Sequence, residues 1–111
     1  MNKERNLKLA LFGYGKMGKM VEKLAADQGH QIADIKDADV AIDFSHANCV
    51  LNHVSLAAAH GKNIVIGTTG WQEQMDHIKS LVQQHSIGLL YSPNFSLGIH
   101  LFMRLISDAA R

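Results

Sequence analysis

Cysteine is nearly absent from the sequence, because Cys49 is the single one among 111 residues. One thiol excludes a disulfide within the chain and is typical of a reducing compartment, so we expect a cytoplasmic protein. Cys49 lies in an apolar helical pattern, which predicts a buried and chemically inert thiol.

Long apolar runs and an excess of charge of either sign are also missing. No run approaches the roughly 20 apolar residues that span a bilayer. The formal net charge is +1, which gives no electrostatic basis for binding nucleic acid or an anionic membrane surface. The N-terminal "MNKERNLKLALFG" has charges before a short apolar run, as a signal peptide has. It lacks a small-residue cleavage site before the glycine-rich turn, which favours a first strand.

Strand-like apolar runs alternate with helical patterns along the chain, and none of the runs alternates cleanly with polar residues. This pattern is typical of strands buried on both faces, as in a parallel sheet between layers of helices. Gly29 and Gly61 stand where glycines that end helices belong. The sequence therefore predicts one three-layer α/β domain over residues 1–111. Its predicted strands are Leu7–Phe12, Val40–Phe44, Asn63–Ile66 and Ile87–Tyr91.

The segment between Gly29 and Val40 is too short for an ordinary strand and crossover, since it holds ten residues, "HQIADIKDAD". If residues 31–35 form a strand, only Lys36–Asp39 remain. Four extended residues reach about 14 Å, whereas a parallel crossover usually takes about a dozen residues or more. Three interpretations stay open: a helix and a strand are missing, the segment is mostly connection, or a second chain completes the strand.

The first predicted strand ends in "GYGKMG", in which Gly13, Gly15 and Gly18 lie between a strand and a helix. In that context the three glycines permit a tight turn, close approach of backbone to a pyrophosphate, and close helix–strand packing. The amides that begin the helix would then face the anion. This pattern predicts a Rossmann-like, dinucleotide-binding domain, the alternative being a tight turn without a ligand. Lys16 is placed to contact a phosphate, although an exposed lysine at a helix start needs no such role.

Two further strand ends lead into polar loops, at the edge where open α/β sheets bind ligands. In "IDFSHAN", Ser45 or Asn48 is expected to cap the next helix. Asp43 lies inside the strand, so its carboxylate needs hydrogen-bond partners, and a structural role is favoured over acid–base chemistry. In "VIGTTGW", two threonines stand between Gly67 and Gly70, and turn formation alone does not require those hydroxyls.

The last predicted strand ends in "YSPNFSLG", which contains the only proline of the chain, Pro93. Proline keeps the preceding Ser92 extended and sets the direction in which the chain leaves the strand. The final "IHLFMRLISDAAR" stops without a helix-ending Gly or Pro, which favours a chain that is part of a larger protein.

Seven histidines invite a metal-binding interpretation, and His46, His53 and His60 recur at intervals of seven. Seven residues rise about 10.5 Å along a helix, too far for two of them to share one metal with bonds near 2 Å. We therefore predict a solvated helical face and no metal site. No Ser-His-Asp or Cys-His arrangement with suitable geometry is predicted either.

The motifs "GYGKMGKMVE", "ADVAIDFS", "GKNIVIGTTGW" and "SPNFSLGIHLF" follow one another in this order on the predicted elements. With them the chain resembles, over almost its whole length, the N-terminal nucleotide-binding domain of the 4-hydroxy-tetrahydrodipicolinate reductase (dihydrodipicolinate reductase) family. The resemblance implies an oxidoreductase of lysine and diaminopimelate biosynthesis that transfers hydride from NADH or NADPH to a cyclic dicarboxylate.

The resemblance also implies where the cofactor lies. The glycine-rich turn would hold its pyrophosphate, the loop after the second motif its adenosine side, and the last two loops its nicotinamide half. Asp37 matches the acid that binds the adenine ribose, with Asp34 as a substitute, while Lys36 suits a 2′-phosphate, so NADH and NADPH both stay open. The implied cofactor-binding residues are Gly13, Tyr14, Gly15, Lys16, Met17, Gly18, Asp37, Phe44, Ser45, Gly67, Thr68, Thr69, Ser92, Pro93, Asn94 and Phe95.

In members of the family a second domain carries the histidine-rich catalytic motif, most of the dicarboxylate site and the tetramer interface. No such motif occurs in these 111 residues, so no catalytic residue is assigned to them. We expect the isolated chain to bind the cofactor and to be inactive or nearly so, and assembly into homo-oligomers stays open. One alternative is a stand-alone nucleotide-sensing or interaction module with the same fold, and another is a different dehydrogenase family.

Overall fold

The computed structural model describes residues 7–13 and 15–91, which form a five-stranded sheet between helices. Neighbouring strands are parallel throughout, in the order β2-β1-β3-β4-β5. This confirms the predicted three-layer α/β domain. The elements are β1 Lys8–Phe12, α1 Lys16–Asp27, β2 Gln31–Ile32, β3 Val40–Asp43, α2 Ala47–Ala59, β4 Asn63–Ile66, a 3-10 turn Gln72–Gln74, α3 Met75–His85 and β5 Leu89–Tyr91.

Helices cover both faces of the sheet, which explains why the strands do not alternate between apolar and polar residues. On one face, Leu9 of β1 is buried in the same apolar cluster as Val21 of α1. On the other face, Ala10 lies in a larger cluster with residues of α2 and α3, among them Val54 and Ile78. Adjacent residues of β1 therefore belong to two different cores, and both cores favour apolar side chains.

Glycines end two of the helices, as the sequence predicts. Gly29 follows α1 with a φ of 85°, and Gly61 follows α2 with a φ of 66°. The left-handed backbone conformation is favourable for glycine and allows the last helical carbonyls to be satisfied. The third helix ends differently, since Ser86 adopts a φ of 56° without being glycine.

The short segment before β3 is mostly connection, as one of the three interpretations left open by the sequence has it. β2 and β3 lie on opposite sides of β1, and both Ile32 and Val40 pair with Leu9. The chain must therefore move sideways by two strand spacings, about 10 Å, without returning along the strand direction. Seven residues, 33–39, are sufficient for that distance, because an extended chain of this length reaches about 23 Å.

Hydrogen bonds to β1 hold this connection in place. The Ala33 N–H donates to the Leu9 carbonyl, and the Asp39 N–H donates to the Lys8 carbonyl. The Asp39 carboxylate in turn accepts from the Lys8 N–H at 2.8 Å. Ala38 is buried in the α2 side of the core, so the connection crosses β1 on that face.

Cys49 corrects one expectation from the sequence. It lies in the first turn of α2 and is only partly buried, with its Sγ 3.7 Å from the Asn48 Oδ1. The buried face of α2 is formed instead by Val50, Val54 and Ala57. Residue 49 stands beside this face, because successive helical residues are turned by about 100°.

Candidate functional site

The carboxyl ends of β1, β3 and β4 meet at one edge of the sheet and carry three of the predicted loops. A cavity of about 380 Å³ opens between the last two of these loops. Its walls are Phe44–Ala47, which follow β3, and Gly67–Thr69, which follow β4. This is the position at which parallel α/β sheets bind ligands, because the strands point their loops to the same side.

The glycine-rich turn after β1 uses its three glycines in different ways. Gly13 has a φ of 90°, and a Cβ atom on it would lie 2.8 Å from backbone atoms of Phe44 and Ser45. A Cβ on Gly18 would overlap the carbonyl oxygen of Gly13. In contrast, among the described residues none apart from the chain neighbours of Gly15 lies within 4 Å of a Cβ built on it. Packing therefore requires Gly13 and Gly18, whereas the space beside Gly15 is open.

The start of α1 presents its backbone amides beside that space. Gly15 is the N-cap residue, and no side chain caps the helix there. The first amides of a helix lack intrahelical acceptors and lie at the positive end of the helix dipole. Lys16 is exposed, so a further positive charge is available beside these amides.

The Phe44 ring covers Gly67, and this contact joins the loop after β3 to the loop after β4. A Cβ on Gly67 would overlap the Phe44 ring, so glycine lets the ring lie against the backbone. The Gly67 N–H donates to the Asp43 carbonyl at 2.9 Å, and the Phe44 N–H donates to the Phe12 carbonyl at the same distance. The three strand ends are thus connected by backbone hydrogen bonds.

The Asp43 side chain is the centre of a hydrogen-bond network behind the cavity. It is 0% exposed. Its Oδ1 accepts from the Ser45 N–H at 2.8 Å and from the Ser45 hydroxyl at 2.5 Å. The Thr68 hydroxyl lies 3.4 Å from the same oxygen, and the His53 Nδ1 lies 2.9 Å from Oδ2. This geometry fits the hydrogen-bonding structural role favoured for Asp43 from the sequence.

His53 is not part of a solvated face, contrary to the prediction from its spacing. It is 22% exposed and its ring stacks on Phe12, with centroids 4.2 Å apart and planes 6° apart. His46 and His60, by comparison, are exposed. The sequence did contain the signal, because Val50, His53 and Val54 are spaced as one buried face of a helix.

Ser45 also departs from its predicted role. The N-cap of α2 is His46, and no side chain caps this helix, so neither Ser45 nor Asn48 does so. The Ser45 hydroxyl donates to the Asp43 carboxylate instead. A carboxylate acceptor two residues earlier is a stronger partner for this hydroxyl than a neutral amide donor would be.

The grouping of Asp43, Ser45 and His53 is not a nucleophilic triad. In a triad the serine hydroxyl and the carboxylate contact different nitrogens of the imidazole. Here Ser45 Oγ and Asp43 Oδ2 lie 3.1 and 2.9 Å from the same atom, Nδ1 of His53. The hydroxyl moreover donates to Asp43 and not to the imidazole, so His53 does not act as its base.

The two threonines of the β4 loop face different environments. Thr68 is 7% exposed, and its hydroxyl lies 3.3 Å from the Asp43 carbonyl. Thr69 is exposed and borders the cavity. The buried Trp71 holds the loop from behind, since its Nε1–H donates to the Thr68 carbonyl at 2.6 Å. Tyr91 at the end of β5 meets the Trp71 ring edge-on, 4.8 Å between centroids.

A second cavity of about 450 Å³ lies beside the end of β1, and it bears on the predicted ribose-binding acid. Asp34 and Lys36 line this cavity together with Phe12. Asp37 is exposed in the turn that follows, where its N–H donates to the Asp34 carbonyl. Asp34, and not Asp37, therefore shares a cavity with the end of β1.

Some predicted residues lie outside the described part of the chain. They are Tyr14, the side chain of Met17, Ser92, Pro93, Asn94 and Phe95. Within residues 7–13 and 15–91, no group of three or more His, Cys, Asp or Glu side chains is placed to hold a metal ion. The helices in the same ranges are all too short or too polar to cross a membrane.

Known proteins match this chain over residues that include the loops described above. The family described as "Dihydrodipicolinate reductase, N-terminus" matches residues 29–95, which is more than half of the chain and includes the loops after β3 and β4. The chain belongs to the dihydrodipicolinate reductase family. Among its relatives, the 4-hydroxy-tetrahydrodipicolinate reductase of Methanosarcina acetivorans is 35% identical over 93% of this chain and 44% of its own length. That of Cutibacterium acnes is 36% identical over 95% of this chain and 48% of its own.

This member of the dihydrodipicolinate reductase family therefore spans less than half the length of these two reductases. Solved structures share its fold at much lower identity. Staphylococcus aureus homoserine dehydrogenase superposes with a TM-score of 0.63 at 11% identity, over 81% of this chain and 33% of its own. Lactobacillus casei scyllo-inositol dehydrogenase, solved with bound NAD(H) and scyllo-inositol, gives 0.59 at 15% identity, over 79% and 36%.

Proposed function

We propose that this domain binds the nicotinamide dinucleotide of a 4-hydroxy-tetrahydrodipicolinate reductase. The observation that carries the proposal is the open space at Gly15. It lies beside the uncapped start of α1, on the same sheet edge as the cavity between Phe44 and Thr69. A pyrophosphate beside Gly15 would meet free backbone amides and Lys16. Family membership supports this use of the edge.

The two loops that line the cavity would hold the nucleosides on either side of the pyrophosphate. Phe44 and Ser45 would border the adenosine side, while Gly67, Thr68 and Thr69 would border the nicotinamide half. Such a dinucleotide supplies hydride when bound. The residues of this domain hold and orient it, and Thr69, the exposed threonine at the cavity, is the hydroxyl available to a ligand.

We further propose that the cyclic dicarboxylate substrate is bound by a second domain of the full-length reductase, in lysine and diaminopimelate biosynthesis. Isothermal titration of the chain with NADH and with NADPH, combined with a turnover assay, tests both proposals. We expect saturable binding of at least one dinucleotide and turnover that is absent or close to the background. Failure to bind either dinucleotide would overturn the first proposal, and measurable turnover would overturn the second.

Gly67→Ala is expected to weaken NADH binding, because the methyl group and the Phe44 ring cannot occupy the same space. The added methyl group would displace the Phe44 ring from its place over the loop, and this ring is the wall of the cavity. The overlap itself costs the fold about 1–3 kcal/mol of stability. Because the displaced ring no longer borders the ligand, we expect an affinity about tenfold lower, which corresponds to about 1.4 kcal/mol of binding free energy. Gly88→Ala is the matched control, because a Cβ there makes only ordinary contacts with Asn63. Equal affinities in a fluorescence titration of the two variants would contradict this role for Phe44.

Asp34→Asn is expected to weaken NADH binding more than Asp37→Asn. Asp34 lines the cavity beside the end of β1, whereas Asp37 lies in the exposed turn after it. A carboxylate bonded to ribose hydroxyls contributes about 1.5–3 kcal/mol, so the loss is about tenfold or more. The two dissociation constants, measured by the same titration, decide between the acids. A loss confined to Asp37→Asn would restore the assignment that the family resemblance implies.

A further inference from the structure

His53 lies behind the cavity and does not line it, yet it is joined to both loops that do. Its Nδ1 is 2.9 Å from Asp43 Oδ2 and 3.1 Å from Ser45 Oγ. Ser45 belongs to the loop after β3, and Thr68 of the loop after β4 bonds to the same aspartate. A single side-chain pair, Asp43 and His53, therefore contacts both walls of the cavity.

The positions of the protons in this network follow from its donors. Asp43 Oδ1 accepts from the Ser45 N–H and from the Ser45 hydroxyl, and an ionised carboxylate offers only acceptors. At 2.9 Å, Oδ2 and Nδ1 would repel each other unless Nδ1 carried a proton. The network therefore fixes His53 with its proton on Nδ1, directed at Asp43.

The orientation of the Asp43 carboxylate depends on the partners of both of its oxygens. Ser45 holds Oδ1 from one side, and the His53 N–H holds Oδ2 from the other. The His53 ring is itself fixed by stacking on Phe12, the residue before the glycine-rich turn. The connection thus extends from the end of β1, through the imidazole and the carboxylate, to the loops after β3 and β4.

We propose that His53 is a positioning residue for the dinucleotide site, acting through Asp43 to set the spacing of the Ser45 and Thr68 loops. The effect of His53 on cofactor binding rests on the proposed function, whereas the effect of His53 on the spacing of the two loops does not. If the N–H of residue 53 is removed, the carboxylate is free to rotate, and the Ser45 amide loses a fixed acceptor. The cavity walls then lose their alignment although no wall residue has changed.

The test compares His53→Asn with His53→Leu, because the asparagine amide places an N–H close to the position of Nδ1 and leucine has none. We expect His53→Leu to bind NADH about tenfold more weakly, and His53→Asn to stay within about threefold of the parent chain. Amide hydrogen exchange at Ser45 and Gly67 should accelerate in His53→Leu and stay near the parent rate in His53→Asn. Asn52→Leu, at an exposed position of the same helix, is the control and should change neither the affinity nor the exchange rates.

The two measurements, NADH affinity and amide hydrogen exchange, test the proposed function and the role of His53 separately. If the parent chain fails to bind NADH, the proposed function fails, and the exchange rates alone still test His53. If His53→Leu matches the parent chain in exchange and affinity, or if His53→Asn is as impaired as His53→Leu, the positioning role is overturned. Should His53→Leu not fold, His53→Gln takes its place, because its amide is displaced by one carbon from Nδ1. The inference then requires the asparagine variant to bind better than the glutamine variant.

Discussion

Asp43→Ala is expected to lower the free energy of unfolding by about 3 kcal/mol or more, because three hydrogen-bond donors lose a buried acceptor and each unsatisfied buried group costs about 1–3 kcal/mol. The alanine would leave the Ser45 N–H, the Ser45 hydroxyl and the His53 N–H without their acceptor. The side chain of residue 43 is 0% exposed, so water does not replace that acceptor readily. Buried donors that lose their partners retain the full cost of their removal from water.

Urea denaturation followed by circular dichroism measures this loss. Asp37→Ala is the matched control, because it removes the same side chain from an exposed turn, and its stability should stay within about 0.5 kcal/mol of the parent. Asp43→Asn should fall between the two, since asparagine keeps one acceptor oxygen but directs an NH₂ group at another donor. A loss below about 1 kcal/mol for Asp43→Ala, the value of one ordinary hydrogen bond, would contradict the central place of this carboxylate.

Gly18→Ala is expected to destabilise the domain by about 3 kcal/mol, the upper end of the usual cost of overpacking. A methyl group on residue 18 would overlap the Gly13 carbonyl oxygen, which is backbone and has no rotamer by which to move away. Gly13 in turn lies against the backbone of Phe44 and Ser45, so α1 has to shift relative to β1 and β3. Alanine is the better helix former by about 1 kcal/mol, which offsets only part of this cost.

Gly15→Ala provides the contrast within the same motif. Within the part of the chain that the structure describes, its Cβ would meet no atom within 4 Å apart from those of its chain neighbours. Its φ of −86° is accessible to alanine, so stability should be unchanged. The proposed function predicts that NADH affinity nevertheless falls by about tenfold or more, because the methyl group occupies the approach of the pyrophosphate. Thermal unfolding and NADH titration of both variants distinguish the two glycines. A stable Gly18→Ala chain would show that Gly18 is not required by packing.

The parts of the fold that depend on local pattern could be predicted from the sequence. The strand β4 was predicted with its exact bounds, and β1, β3 and β5 to within two residues. Gly29 and Gly61 were recognised because only a few residue types adopt a left-handed conformation readily after a helix. Those signals lie within a few residues of the feature that they predict.

The features that were missed depend on contacts between distant parts of the chain. The crossing from β2 to β3 is short because Ile32 and Val40 pair with the same residue of β1, and strand register is not visible in one strand alone. The position of Ser45 before α2 predicts a helix cap because such caps are local. Its hydroxyl instead donates to the Asp43 carboxylate, which His53, eight residues after Ser45, also contacts. Spacing by seven predicts a solvated face for His53, whereas its buried neighbours Val50 and Val54 place it on the apolar face of α2.

In the candidate site, too, local motifs could be predicted and contacts between distant residues could not. The glycines of the first turn and the polar loops after β3 and β4 were found from motifs, and the structure brings these loops to one edge. The role of Trp71, which holds the Thr68 carbonyl from behind, was not predicted, because a buried tryptophan has the same sequence pattern whether or not its N–H is used. Whether Asp34 or Asp37 lies at the cavity depends on the turn between them, and the sequence pattern does not show that turn.

Amide chemical-shift mapping of the ¹⁵N-labelled chain during titration with NADH tests the central claim most directly. The proposed function predicts saturable shifts that concentrate at Gly13, Gly15, Ser45, Gly67 and Thr69. Amides at the opposite edge of the sheet, such as those of His30 and Lys62, should be unchanged because they lie before β2 and β4. Absence of saturable shifts, or shifts that concentrate at the opposite edge, would contradict the assignment of this sheet edge as the dinucleotide site.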